Sequence, residues 1–200
     1  MLGEGVKNIM KSLLLSIRPK WVAKILNDEK TIEIRKKFPK DYVGWVYIYN
    51  TKDIKDGYLT CAYIGNKLEF ITSFSEHKKY RGKVVARFWC DKVEEIKLPY
   101  TKFGTNEWVG GEYERTLQTE TMDEQTLLEK SCLSEEEIYK YLNFKNSPNH
   151  CGYAIHITKL EIFNKPKDIS DFEREIGRDE NVIAYDRLNR APQSWCYVEV

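Results

Sequence analysis

The sequence has almost no net charge, which excludes one class of protein, and its apolar content excludes another. Its 200 residues contain 32 Lys and Arg against 31 Asp and Glu, so the formal charge is only +1. Proteins that coat duplex nucleic acid without sequence preference need a large excess of Lys and Arg to neutralise phosphates. The apolar fraction of 42% also excludes an acidic disordered chain, because it is large enough to build a packed core.

Cysteine and histidine are too few and too scattered for a disulfide framework or a zinc site. The five cysteines include no C-x-x-C pair, and none of the three histidines lies four residues from another. The apolar runs are shorter than the roughly 20 residues of a membrane helix, and the first residues lack the order of a secretory signal. These absences predict a cytoplasmic protein with no metal, no cofactor and no membrane partner, and they leave the oligomeric state open.

Aromatic residues, in contrast, are abundant, and the charges are unevenly distributed. The chain has 13 Tyr, 8 Phe and 5 Trp, so ligand contacts are expected to depend on shape, stacking and local charge. Residues 1–40 carry ten basic and four acidic side chains, whereas residues 107–140 carry ten acidic and three basic ones. Either the basic end attracts an anion, or the two blocks pair in the fold or are simply solvated surfaces.

Strand and helix patterns predict an α+β fold with strands in the majority. Pro19 is expected to begin a helix that ends at Asn27 and Asp28, because Pro suits the first helical turn and both other residues tolerate a left-handed backbone. Alternating or apolar runs predict strands at residues 12–17, 30–35, 45–49, 58–64, 68–71, 83–90, 152–163 and 195–200.

Capping-box spacing predicts three further helices near the acidic region and towards the end of the chain. The pairs that show it are Thr121 with Glu124, Ser134 with Glu137, and Ser170 with Glu173. Residues 99–122, which are rich in Gly and Thr, are interpreted as a long loop.

The strand predicted at residues 30–35 carries the strongest candidate for chemistry. Alternation puts Thr31, Glu33 and Arg35 on one face, with Glu33 and Arg35 roughly 7 Å apart. Arg offers a planar fork to a phosphate, carboxylate or base edge, and Glu accepts from an amino group or acts as a base. Lys30 is placed to point into the same space, where desolvation lowers the pKa of a lysine towards that of a base. The alternative is a solvent-exposed strand face whose charges serve solubility.

Residues 28–35, with the strand and helix before them, resemble the signature of ASCH domains, a branch of the PUA-like β-barrels. The family motif is G-x-K-x-x-E-x-R after a short helix; Lys30, Glu33 and Arg35 match it, and Asp28 stands where the family has Gly. The runs 82–86, 152–155 and 191–199 are similar to further strands of small phage and prophage ASCH proteins.

The resemblance implies one PUA-like domain over residues 1–200, an α+β fold with a curled or closed mixed β-barrel and a few short helices. Residues 52–81 and 99–130 are expected to be insertions in this domain.

The resemblance also implies a cleft, between the first helix and the barrel, that binds RNA or a nucleoside or nucleotide. Its ligand-binding residues are expected to be Lys30, Glu33 and Arg35. Arg18 and Ser194 are further candidates that would complete the cleft, with ordinary hydrogen bonding at a strand end as the alternative. Bases of single-stranded nucleic acid commonly stack on aromatic side chains. The candidate platforms, for each of which a core position is the alternative, are Trp21, Trp45, Tyr47, Tyr49 and Trp195.

Two other functions stay open on the sequence alone. Some small ASCH proteins resemble amidohydrolases or RNA-cleaving enzymes, which makes the chain a candidate metal-independent hydrolase of RNA or a modified nucleoside, with Lys30, Glu33 and Arg35 as catalytic residues. Glu33 stands where the amidohydrolase branch has a Thr nucleophile, and Thr31 lies about 7 Å away, which argues against amide hydrolysis. The second is a protein-interaction module that uses the acidic residues 107–140.

Overall fold

The structure is a computed structural model that describes residues 11–98, 100–102, 113–144, 146, 150–179 and 182–199. Its elements, in chain order, are β1 (Ser12–Ile17), α1 (Pro19–Leu26), β2 (Ile32–Arg35), β3 (Gly44–Asn50), β4 (Tyr58–Ile64), β5 (Lys67–Ser73), β6 (Val84–Cys90), β7 (Val93–Ile96), β8 (Tyr100–Lys102), β9 (Tyr113–Arg115), α2 (Glu124–Ser131), α3 (Glu135–Leu142), β10 (Gly152–His156), β11 (Thr158–Lys167), a short 3₁₀ turn (Ile169–Asp171), β12 (Glu173–Asp179), β13 (Val182–Arg187) and β14 (Trp195–Val198).

Two sheets build the body of the molecule. The larger sheet has the order β11-β6-β3-β1-β14, and the smaller has the order β2-β10-β7. The pair β1–β3 is parallel, with α1 and β2 as its crossover, and the neighbouring pairs are antiparallel. The α+β class is therefore confirmed. Within the ranges that the structure describes, neither sheet closes on itself, so the predicted curled or closed barrel is not confirmed.

The main core lies between one face of the larger sheet, α1 and the β4–β5 hairpin. α1 directs Val22, Ile25 and Leu26 into it, as predicted from the apolar spacing of this helix. The β4–β5 hairpin is linked to α1 by Asn27, whose side-chain amide donates to the Phe70 carbonyl at 2.8 Å and accepts from the Phe70 N–H at 2.9 Å. These contacts fix the position of α1 against the sheet.

A second core packs the smaller sheet against α2 and α3. It includes Ile32 and Ile34 from β2, and it also includes Leu117, Leu127 and Ile138 from the region between β9 and β10. Part of the segment predicted as an insertion therefore contributes buried side chains. The single-domain organisation and the boundaries of the two insertions stay predictions.

The start of the chain follows the sequence pattern closely. α1 begins at Pro19, and Asn27 is its C-cap residue. Asp28 has φ of 63°, the left-handed conformation for which Gly is the usual residue. Asp28 therefore makes a turn that Gly would make without steric cost.

Two of the three helix caps predicted from capping-box spacing are wrong. The N-cap of α2 is Asp123, whose side chain accepts from the Thr126 N–H, and not Thr121. Thr121 instead donates to the buried carboxylate of Glu94, a long-range contact that local spacing cannot reveal. Ser170 lies inside the 3₁₀ turn, which is followed by β12 instead of a helix.

The remaining local predictions have mixed outcomes. Ser134 and Glu137 form the predicted capping box at the start of α3. Within residues 99–122, predicted as a loop, β8 and β9 pair as a short antiparallel ladder, while residues 103–112 lie outside the described residues. Across the described ranges, no helix combines the length and apolar character that a membrane crossing requires.

Candidate ligand-binding site

The side chains of β2 divide between the second core and a cleft. Ile32 and Ile34 enter the core of the smaller sheet, while Glu33 and Arg35 point to the opposite side, as alternation predicts. Glu33 is 6% exposed and Arg35 is 8% exposed. The alternative interpretation of this strand as a solvent-exposed charged face is therefore wrong.

Lys30 is held in the interior by α2 and by Glu33. Its Nζ donates to the backbone oxygen of Ser131 at 2.6 Å, lies 3.4 Å from Glu33 Oε2, and lies 5.4 Å from the centre of the Trp21 ring. The residue is only 2% exposed. Burial lowers the pKa of Lys30, and the carboxylate of Glu33 opposes this effect.

Arg35 completes a buried triad, which we call the Lys30–Glu33–Arg35 triad. One Arg35 terminal nitrogen lies 3.0 Å from Glu33 Oε1 and donates to the Ser16 carbonyl at 2.7 Å. Each oxygen of the Glu33 carboxylate therefore faces one cation. Arg35 Nε is buried and has no hydrogen-bond partner among the described residues. Native structures contain few such groups, and each needs an explanation.

The triad forms part of the wall of a cleft of about 740 Å³ between α1, β2 and α3. Arg18, at the start of α1, and Ser194, just before β14, also line this cleft. The structure thus brings all five predicted site residues together. Ser194 is held there by its backbone oxygen, which accepts from the Ser16 N–H at 2.9 Å.

The cleft also contains residues that the sequence analysis did not assign to it. Lys36 and Lys37 directly follow the motif in the sequence, and this proximity is the signal that indicates their place in the cleft. Thr51, Asp53 and residues of α3 reach the cleft through contacts between distant segments, for which the sequence offers no signal. The complete lining is Ser16, Ile17, Arg18, Trp21, Lys30, Glu33, Ile34, Arg35, Lys36, Lys37, Thr51, Asp53, Leu133, Glu137, Tyr141, Gln193 and Ser194.

Cations outnumber carboxylates in this lining by five to three. Lys36 and Lys37 are exposed, and neither has an acidic partner in the described part of the chain. The excess positive charge is therefore carried by side chains that no carboxylate neutralises within the described residues. No group of three or more His, Cys, Asp and Glu with metal-binding geometry occurs within the described ranges.

Of the five candidate stacking platforms, Trp21 is the one that lines the cleft. Lys20 Nζ lies 4.3 Å from the centre of its ring. Trp195 instead donates its indole N–H to the Lys37 carbonyl at 2.7 Å and so supports the cleft from behind. The other three pack within or against the core on the opposite face of the larger sheet: Trp45, Tyr47 and Tyr49.

Tyr141 of α3 is an aromatic cleft residue that sequence reasoning missed. Its side chain is 39% exposed, and Lys36 Nζ lies 5.4 Å from the centre of its ring. Partial burial raises the pKa of Tyr141, so its hydroxyl stays protonated at neutral pH. Trp21 and Tyr141 give the cleft one aromatic side chain from each of its two helical walls.

No family model matches the sequence, and no curated protein matches it. Solved structures of the ASCH protein from Zymomonas mobilis are similar to the chain. A serine-to-alanine mutant has a TM-score of 0.49 and 12% identity, covering 95% of this chain and 89% of that chain. A second structure has a TM-score of 0.45 and 14% identity, with the same coverage. Both structures bear the name of the family that residues 28–35 resemble.

Proposed function

We propose that the chain is an RNA- or nucleotide-binding module of the ASCH type, with PUA-like architecture, and that its cleft holds the ligand. The observation that carries the proposal is that one cleft of about 740 Å³ contains the three residues of the motif together with Arg18 and Ser194. Pockets for small ligands commonly measure about 300–1,000 Å³, which suits a nucleotide or an RNA end better than a duplex.

The residues of the cleft suit the parts of such a ligand. Lys36, Lys37 and Arg18 supply positive charge for phosphate. Trp21 and Tyr141 offer aromatic faces to a base, and Ser194 offers a hydroxyl group to its edge. The Lys30–Glu33–Arg35 triad is buried and interlocked, so we assign it the role of a rigid floor that positions these groups.

Loss of the two unpaired lysines should weaken binding without unfolding the protein. For Lys36→Ala combined with Lys37→Ala we expect about tenfold weaker binding of single-stranded RNA and nucleotides, because two charge-assisted contacts to phosphate are lost. Ligands are first identified with a nucleoside, nucleotide and RNA library by thermal shift, since a ligand of the native state raises the melting temperature. Affinities are then measured by calorimetry.

The matched control for this experiment is Lys78→Ala combined with Lys79→Ala. These two lysines are also adjacent and exposed, but they lie outside the cleft. The proposal is contradicted if both double variants bind RNA and nucleotides equally well, or if the unsubstituted chain binds no member of the library.

A metal-independent hydrolase of RNA or a modified nucleoside is the second candidate function, and Lys30 favours it. Burial lowers the pKa of Lys30, and a buried group with a shifted pKa in a cleft is a candidate for proton transfer. Binding ranks first because Lys30 Nζ already donates to Ser131 and contacts Glu33.

Enzymatic turnover is tested with a labelled RNA and an acylated cytidine. The hydrolase hypothesis predicts turnover by the unsubstituted chain and its loss in Glu33→Gln, with thermal denaturation as the check on folding. Turnover that survives in a folded Glu33→Gln variant contradicts the assigned catalytic residues.

The described residues do not support the remaining predictions any further than the sequence does. In the acidic region 107–140, Leu127 and Ile138 are buried in the second core, and Glu137 lines the cleft, so part of this region is already committed within the chain. A protein partner for its exposed acidic side chains, a cytoplasmic location and a phage or prophage origin stay predictions.

A further inference from the structure

An ion pair between Arg18 and Asp53 lies in the lining of the cleft. Arg18 Nε lies 3.4 Å from Asp53 Oδ2, and the Arg18 side chain is 61% exposed. The role of Arg18 in folding is served by its backbone oxygen, which accepts from the N–H groups of Trp21 and Val22 at the start of α1. The guanidinium group is therefore available for binding, and in the free protein it is engaged by one carboxylate.

Asp53 is fixed beside Arg18 by the segment that follows β3. Its Oδ1 accepts a hydrogen bond from the Lys55 N–H at 2.9 Å, a local turn that orders the carboxylate. In the same wall, Thr51 Oγ1 is buried without a hydrogen-bond partner among the residues that the structure describes. A buried hydroxyl without a partner is uncommon and needs an explanation, and an acceptor group of a ligand held in the cleft would provide one.

The pair between Arg18 and Asp53 differs from the other ion pairs of the cleft. Glu33 is buried between two cations, and Glu137 lies 4.0 Å from Lys20, which is outside the lining. Asp53 and Arg18 both belong to the lining, and both keep some exposure to solvent. This is therefore the pair that a ligand can exchange without breaking the buried triad.

We infer that Asp53 competes with the ligand for Arg18, so that the cleft selects a ligand with a terminal phosphate; this inference rests on the proposed function. A carboxylate tethered next to Arg18 acts at an effective concentration of about millimolar or more. A phosphodiester carries a single negative charge, as Asp53 does, and gains little by replacing it. A phosphomonoester carries about −1.5 to −2 charges at pH 7 and has three acceptor oxygens, so it displaces the carboxylate.

The substrate class is accordingly a mononucleotide or a phosphorylated RNA end, not the interior of an RNA strand. The probes are ribonucleosides, their 5′- and 3′-monophosphates, dinucleoside monophosphates whose phosphate is a diester, and a short single-stranded RNA with and without a terminal phosphate. Calorimetry with the full chain shows whether the terminal phosphate is recognised on a mononucleotide or on the end of an RNA strand. We expect the monophosphates to bind about tenfold or more tightly than the nucleosides and the diesters.

Two substitutions separate the roles of Asp53 and Arg18. Asp53→Asn removes the competing charge, so it should strengthen binding of the diesters and reduce the preference for monoesters to below about threefold. Arg18→Gln should lower the affinity for monophosphates and leave that for nucleosides unchanged, so that the remaining preference is the part contributed by Lys36 and Lys37. The matched control is Glu161→Gln, which removes the 2.7 Å partner of Arg87 on the larger sheet, outside the cleft, and should change none of these affinities.

The possible failures are distinguishable. If nucleotides or RNA bind but show no preference for a terminal phosphate, or if Asp53→Asn leaves that preference unchanged, the competition is refuted and the proposed function stands. If none of the probes binds the unsubstituted chain, both the competition and the proposed function are refuted.

Discussion

Replacement of Lys30 by Met is expected to lower the free energy of unfolding by about 3–5 kcal/mol, the usual cost of removing one partner from a buried ion pair. Lys30 is 2% exposed, and its Nζ serves both Glu33 and the Ser131 carbonyl. Met fills a similar volume but leaves Glu33 with Arg35 as its one cation and leaves a buried carbonyl without its donor. The loss therefore comes from uncompensated charge and polarity, not from a cavity.

The measurement is urea denaturation at pH 7, with the m-value as a check that unfolding remains two-state. The control is Lys24→Met, which removes a partly exposed lysine 2.9 Å from Glu29 and should cost less than about 1 kcal/mol. The double variant Lys30→Met with Glu33→Gln should lower the free energy of unfolding by less than the sum of the two single variants. Without the carboxylate charge of Glu33, the loss of Lys30 leaves no buried charge unpaired on this side chain. A loss for Lys30→Met as small as that for Lys24→Met contradicts the structural role of the triad.

The part of the site that the sequence predicted is the part built by local rules. Pro19 starts α1, Asp28 adopts a left-handed conformation, and strand alternation turns Glu33 and Arg35 towards one side. Each of these features depends on a residue and its near neighbours. For this reason the sequence predicted the strand–helix–strand unit and the direction of Glu33 and Arg35 without knowledge of the rest of the chain, whereas their role in binding stays a prediction.

The rest of the site depends on contacts between segments that are far apart in the chain. Lys30 and Ser131 are 101 residues apart, and nothing in either local pattern indicates that one donates to the other. The same reason explains why Tyr141 and Asp53 were missed and why Thr121 was misassigned as a helix cap. A residue with the spacing of a helix cap donates to a buried carboxylate instead when the fold brings that carboxylate within hydrogen-bond distance.

The two charge blocks of the sequence meet at the cleft, and the alternatives offered for them are not exclusive. Lys20 of the basic block lies 4.0 Å from Glu137 of the acidic block, so part of the positive charge is paired within the fold. Lys36 and Lys37, also in the basic block, have no acidic partner in the described residues and line the cleft. A net charge near zero is thus compatible with a local site for an anion.

Glu94 is expected to make stability strongly dependent on pH in acid. Its buried carboxylate accepts from Thr119 at 2.9 Å, from the Thr121 N–H and hydroxyl at 2.7 Å each, and contacts His156 Nε2 at 2.7 Å, while Lys92 lies 3.4 Å away. Burial by itself would raise the pKa of Glu94, but the hydrogen bonds outweigh it and lower the pKa from 4.5 to about 2.

Because the pKa of Glu94 is lower in the folded state, its stabilisation is complete above pH 4.5 and is lost as the pH falls towards about 2. The difference is worth roughly 3 kcal/mol, since one pKa unit corresponds to about 1.4 kcal/mol. Urea denaturation should therefore show Glu94→Gln to be less stable than the unsubstituted chain by about this amount at pH 6, and nearly equal to it at pH 2.

Glu95→Gln, which removes a neighbouring carboxylate paired with exposed Lys40 and Lys97, is the control and should change stability by less than about 1 kcal/mol. A stability difference for Glu94→Gln that stays constant between pH 6 and pH 2 would mean that the charge of Glu94 does not stabilise the fold.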